Sequence, residues 1–315
     1  VPTTLLWFRR DLRLGDHPAL LAARDAAGPD GDVLPVFVFD DRLYGPSGEP
    51  RRRFLLDCLS ALDGDLDGAL VLRSGDPAEV LPALAREVDA TSVHISADAG
   101  PYGRRRDAAV EEALGEVPLV RTGSPYLVTP GRVTKRDGTP FQVFSPFARA
   151  WREHGWRAPA DSPGDVPWRT GVRSEAPPPA PDLGDAVLPP AGEEAGLAAW
   201  ARFRDERLLD YAEGRNLPGT DGTSRLSAYL KYGCVHPRTL LADLDAQDDD
   251  GEAVRRYTDE LAWRDFYADV LWHRPDSART YLKPELQGMG YDSGPEADAL
   301  VRAWETGRTG FPIVD

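Results

Sequence analysis

The sequence predicts an α/β fold, a doubly wound parallel sheet followed by a long connector and an all-α region, on three observations. Short apolar runs alternate four times with helical patterns in the first part of the chain. A proline-rich stretch then breaks the periodicity, and beyond it helical patterns recur with no strand between them. Alternation of this kind implies parallel strands joined by crossover helices.

Residues Thr4–Phe8, Val33–Phe39, Ala69–Arg73, Ser92–Ser96 and Leu119–Thr122 are Val-, Leu- and Phe-rich runs, each suited to a buried strand. Helical spacing falls between them at Pro18–Ala27, Arg51–Leu62, Pro77–Val88 and Arg105–Leu114. Ligands of such sheets bind beyond the carboxyl ends of the strands, so the loops Arg9–Asp16 and Ala97–Arg106 hold the expected positions for function. Periodicity fades from Gly123 to about Pro190 apart from a short helix at Pro146–Gly155, and Pro177–Pro181 with Pro189-Pro190 reads as extended connector. Helices are predicted again at Glu194–Gly214 and near 224–232, 237–246, 253–272 and 296–306. The division expected is 1–130, 131–193 and 194–315.

Bulk properties bound the function. At 315 residues, 41% hydrophobic and 28% charged, the chain is long enough for real cores and has a globular composition. No apolar run approaches the ~18 residues of a membrane span, and the opening Val1–Phe8 lacks a basic n-region, so a cytoplasmic protein with no membrane partner is expected. A net charge of −15 excludes non-specific wrapping of nucleic acid by the whole surface but leaves room for a local basic patch. Cys58 and Cys234 form no motif and are read as packed thiols; His17, His94, His154, His236 and His273 make no metal spacing. Dinucleotide-binding G-x-G-x-x-G, P-loop, H-E-x-x-H and G-x-S-x-G patterns are absent. Thr309–Asp315 is a turn followed by apolar residues, which reads as a cut in a longer parent protein.

Two stretches carry candidate chemistry. In Glu260–Tyr267, helical spacing puts Glu260, Trp263, Arg264 and Tyr267 on one face, beside an apolar stripe of Val254, Tyr257, Leu261, Ala268 and Trp272. That face either lines a pocket or is an exposed Glu–Arg pair next to aromatics that complete the core. Gly219–Gly233 opens with Gly, Thr and Ser and ends on a glycine suited to the position after a helix. Free N–H groups at such a start, with Thr223, Ser224, Ser227 and Arg225, would suit a diphosphate; an ordinary capped helix explains the pattern equally well.

Six strings resemble, in order and spacing, the DNA photolyase/cryptochrome family, and most of all its class I cyclobutane pyrimidine dimer photolyases. They are Leu6–Asp16, Gly103–Asp107, Val143–Phe147, Asp221–Ser227, Glu260–Tyr267 and Gly307–Asp315. The resemblance implies an N-terminal antenna domain, a connector and a helical domain that holds FAD, the last incomplete here. It implies that Thr223, Ser224, Arg225, Leu226 and Ser227 meet the FAD phosphates, and that Tyr211, Arg264 and Tyr257 are further flavin contacts. Arg215 matches a DNA-backbone contact, Glu260 and Trp263 match the pair that receives the lesion, and Tyr267 lies with them on the DNA side. UV-damaged DNA is then the partner of a monomeric enzyme, and excited, reduced FAD lends the dimer an electron that later returns. Such a cycle needs no metal and no acid–base triad. The resemblance also implies an antenna chromophore, deazaflavin or reduced folate, between which Ala97–Tyr102 does not decide.

Departures and rivals belong beside it. Asp16-His17-Pro18 replaces the usual Asp-Asn-Arg, and Tyr291 falls where a surface Trp of the electron-transfer chain is usual. The other tryptophans of that chain and the residues holding the isoalloxazine would lie beyond Asp315, so poor FAD binding by residues 1–315 alone is expected. A cryptochrome without repair activity and a nucleotide-binding α/β module similar to electron-transfer flavoproteins are the rival readings; the Glu260/Trp263 pair favours repair over the first, and the Thr223–Ser227 and Glu260–Tyr267 matches count against the second.

Overall fold

The computed structural model describes residues 1–246 and 251–315. Its elements in chain order are β1 (Thr3–Phe8), α1 (Pro18–Ala27), β2 (Asp32–Phe39), α2 (Asp41–Tyr44), α3 (Glu49–Asp65), β3 (Val71–Ser74), α4 (Pro77–Glu87), β4 (Ala90–Ile95), α5 (Pro101–Leu114) and β5 (Leu119–Arg121). There follow α6 (Phe144–His154), α7 (Glu193–Glu206), α8 (Tyr211–Gly214), α9 (Ser227–Tyr232), α10 (Pro237–Asp245), α11 (Glu252–His273) and α12 (Pro295–Glu305).

The five strands form one sheet in the order β3-β2-β1-β4-β5, and every pairing is parallel. The side-chain period of two divides each central strand between two cores. Leu6 and Phe8 of β1 join Val33, Phe37 and Phe39 of β2 on one face; Leu5 and Trp7 join Leu34, Val36 and Val38 on the other. The first of these cores runs on through Trp151, Trp200, Phe203, Tyr257 and Phe266 into the helical region. Val1–Pro275 is accordingly one compact unit, and Asp276–Asp315 is a second.

The β1–α1 loop stitches the halves of the larger unit together. Leu12 N–H donates to Tyr232 O (3.1 Å), and the buried Arg13 guanidinium donates to Gly233 O (2.9 Å) and Asp16 O (2.7 Å). Asp16 in turn accepts from Arg238 (2.6 Å) and from the N–H of Ala160 (2.7 Å). Glu193, at the start of α7, accepts from the N–H groups of Leu14 (2.7 Å) and Gly15 (3.0 Å). The unusual His17-Pro18 pair caps α1: His17 Nδ1 accepts from Leu20 N–H (3.2 Å), and Pro18 takes the first helical position, where its missing N–H has no role.

Two expected helices differ. Glu194–Gly214 is interrupted at Arg207, passes through a 3₁₀ turn at Leu208–Asp210 and resumes as α8. The break lets both Leu208 and Tyr211 turn into the core, a tertiary gain that overrides local helix propensity. The helix expected near 224 starts only at Ser227, because Arg225 has φ 52°, a left-handed conformation that a right-handed helix cannot contain. Gly233 does end it in the left-handed conformation.

Cys58 of α3 and Cys234, just past α9, are free and buried, with their sulfurs 3.5 Å apart. In the smaller unit, the Asp315 carboxylate accepts from the N–H groups of Thr309 and Gly310, both at 2.7 Å, and the exposed Tyr291 pairs its hydroxyl with that of Tyr281. Among the described residues no helix is long and apolar enough to cross a membrane.

Candidate functional site

Helix α11 is held by two carboxylates that hydrophobic patterning overlooks. Asp265 accepts from the N–H of Val128 (2.9 Å) and Nε1–H of Trp151 (3.0 Å), and Asp269 accepts from Gly131 N–H (2.7 Å). Burial pushes the Asp265 carboxyl up to about 6, against the pull of Arg264 and these donors. Tyr257, Leu261 and Ala268 of the expected stripe are buried, while Val254 and Trp272 are only partly so.

The polar-aromatic face is smaller than its spacing predicts. Arg264 leaves it: the partly buried guanidinium donates to Pro125 O (2.6 Å) and Leu230 O (3.1 Å) and lies over the Tyr126 ring at 4.7 Å. An i+4 neighbour shares a face at Cβ, but the long Arg stem carries its charge elsewhere. Glu260, Trp263 and the exposed Tyr267 remain together. Glu260 is paired with Arg215 from the end of α8 (2.7 Å), and the Arg215 guanidinium also sits over Tyr211 at 5.4 Å. One face of the partly exposed Trp263 indole is covered. Phe144, the first residue of α6, lies flat on it, with ring centroids 3.7 Å apart and planes within 6°.

One turn earlier on α11, Tyr257 donates its hydroxyl to Ser224 Oγ (3.2 Å). This joins the helix to the segment Thr223–Ser227. Tyr257 and Tyr211 meet edge to face within a cluster that includes Trp200 and Phe203, and both are buried. Leu226 is also buried in the core, so any ligand contact it makes must come from its backbone. Ser227 is exposed at the start of the six-residue α9. Thr223, Ser224 and Arg225 border a cavity of about 410 Å³ that is completed by Arg202, Arg207, Phe203 and Tyr229. Arg207 and Arg225 both engage the one carboxylate there, Asp221, leaving the rim net positive. Two hydroxyls with three guanidinium groups fit a diphosphate. Arg202 and Arg207 were missed by sequence reading because α7 carries no phosphate motif.

A second cavity, of about 200 Å³, opens at the carboxyl ends of β1 and β2, on the side where the positional rule places ligands. Its walls are Trp7, Phe37, Phe39, Tyr44 and Leu55, and its charged rim includes Arg10, Asp40, Arg51, Asp98 and Lys231. Arg10 and Asp98 come from the two loops singled out above. Asp40, Tyr44 and Arg51 belong to no motif, and they are brought together with Lys231 only by the tertiary fold. Burial together with Arg10 and Arg51 lowers the Lys231 pKa.

Residues 4–165 match the DNA photolyase family and residues 236–315 match the FAD binding domain of DNA photolyase. A deoxyribodipyrimidine photo-lyase of Halobacterium salinarum is 35% identical, over 99% of this chain and 69% of its own length. One from Thermus thermophilus is 40% identical over 99% of this chain and 70% of its own. The crystal structure of a bacterial class III photolyase from Agrobacterium tumefaciens superposes with a TM-score of 0.90 at 29% identity, covering all of this chain and 67% of that one.

Proposed function

The chain belongs to the DNA photolyase/cryptochrome family, and from that premise we propose that it serves, as a monomer, in light-driven repair of cyclobutane pyrimidine dimers in UV-damaged DNA. The observation that carries the reading is the Tyr257–Ser224 bond, which puts the phosphate-suited cavity about one helical turn from Glu260 and about two from Trp263. A cofactor diphosphate and a flipped pyrimidine dimer can thus be served by the same helix.

The residues present fit the phosphate end of FAD: Thr223 and Ser224 would donate from their hydroxyls, and Arg202, Arg207 and Arg225 would supply charge. When bound, reduced FAD supplies on illumination the electron that opens the cyclobutane ring. The chain's own groups do the rest. A dimer taken out of the duplex loses its stacking, and Trp263 restores about 1–3 kcal/mol of it. Glu260 orients the pyrimidine edge by hydrogen bonding and, with Arg215 drawn to a backbone phosphate, is free to do so. Tyr267, exposed beside Trp263, extends the DNA-facing surface.

The cavity at the ends of β1 and β2 is our candidate for the antenna, a flat deazaflavin or reduced folate between aromatic walls with cations at its rim. The test of the whole reading is to reconstitute the protein with FAD, reduce it and irradiate it with a dimer-containing oligonucleotide. Dimer splitting that is lost in Trp263→Ala supports repair. Flavin photochemistry with no splitting and no preference for the lesion would move the assignment to a light-sensing cryptochrome.

A further inference from the structure

Both groups that would receive the lesion are engaged by the chain's own side chains: Glu260 by Arg215 and Trp263 by Phe144. The second engagement has the geometry of the ligand it would have to admit. Phe144 lies parallel to the indole at 3.7 Å, a stacking separation, whereas its contact with Phe266 is edge-on at 6.0 Å. It occupies one of the two indole faces on which a base can stack.

We propose that Phe144 is a placeholder for the flipped base, a specificity-determining residue that must swing off Trp263 before a lesion can stack there. This rests on the lesion-site reading above.

Its position in the chain suits such a movement. Phe144 opens α6, and its neighbours Gln142, Val143, Ser145 and Pro146 are all exposed. Val143, the residue before the helix, makes no side-chain cap, and the first helical bond, from Phe147 N–H to Val143 O, is stretched to 3.4 Å. The rest of α6 is anchored independently, by buried Phe147 and by Trp151, whose indole donates to Asp265. The first turn can therefore unwind while the helix stays in place. An undamaged, well-stacked base gains little by leaving the duplex and cannot compete for the indole. A dimer, already poorly paired, can. The placeholder thus raises discrimination at a cost in absolute affinity.

The test compares wild type with Phe144→Leu and Phe144→Ala, with thermal melts confirming that each is folded. Leu retains bulk for the core but removes the stacking ring. Affinity for a dimer-containing oligonucleotide and for its undamaged twin is measured by fluorescence anisotropy. Losing the competing aromatic pair should tighten dimer binding about two- to tenfold, and should raise the rate of association. Weaker dimer binding by both variants would make Phe144 a wall of the pocket and overturn the proposal. Unchanged affinity, with wild type still preferring the dimer, would overturn the placeholder and leave the lesion-site reading standing. If neither wild type nor variants prefer the dimer, the lesion-site reading falls and the placeholder falls with it.

Discussion

Replacing Gly233 by alanine should separate the two halves of the larger unit more effectively than any core truncation of similar size. Gly233 follows α9 with φ 70°, so a Cβ first meets the left-handed penalty of about 1–2 kcal/mol. It also meets backbone: the new atom would overlap the Arg10 carbonyl and come within 2.7 Å of Asp11 Cα. Neither neighbour is a flexible side chain, so the β1–α1 loop has to retreat. Retreat weakens the Leu12–Tyr232 and Arg13–Gly233 hydrogen bonds, worth together about 2–4 kcal/mol. The expected loss is about 3–5 kcal/mol, read as a lower urea midpoint in circular dichroism. Gly68→Ala is the control, since Gly68 has φ 80° but nothing within 4 Å of its Cβ position, and it should cost only the conformational term, about 1–2 kcal/mol. If Gly233→Ala loses no more than Gly68→Ala, the close approach is not what holds the halves together.

His17 should make the protein acid-sensitive. Burial pulls the imidazole down to about 4, so the folded state keeps it neutral; the stability this represents is complete above about pH 6.5 and is lost as pH falls toward 4. At pH 4.5 the loss is about 2–3 kcal/mol, partly offset by Asp265, whose raised pKa works in the opposite direction. His17→Asn preserves a capping acceptor and should flatten the acid limb of Tm against pH; an unchanged limb would refute the assignment. Glu260→Ala should weaken dimer binding while costing less than about 1 kcal/mol of stability, because its pair with Arg215 is half exposed; a large drop in the urea midpoint would show a structural role instead. Trp263→Ala should lower dimer affinity by about 1–3 kcal/mol and leave undamaged DNA unaffected, as measured by anisotropy. Cys58 and Cys234, both buried, should react with a thiol reagent only after unfolding, and rapid labelling of native protein would contradict the packing.

The sequence by itself determined the strands, helices and order of the first region, because a buried parallel strand must be an apolar run and its crossover helix must be amphipathic. Glycine marked the end of α9 for an equally local reason. Local pattern did not reveal where the long side chains go. Arg264 shares helical spacing with Glu260 yet donates to carbonyls at Pro125 and Leu230, and Trp263 is covered by Phe144 from far earlier in the chain. Nor did it reveal Asp265 and Asp269 as anchors, since a buried carboxylate is recognised only by the N–H groups that face it. The two cavities draw arginines, tyrosines and Lys231 from separate elements, with no shared motif. Propensity and periodicity act between neighbours in sequence, whereas a pocket forms between neighbours in space; tertiary structure alone decided that.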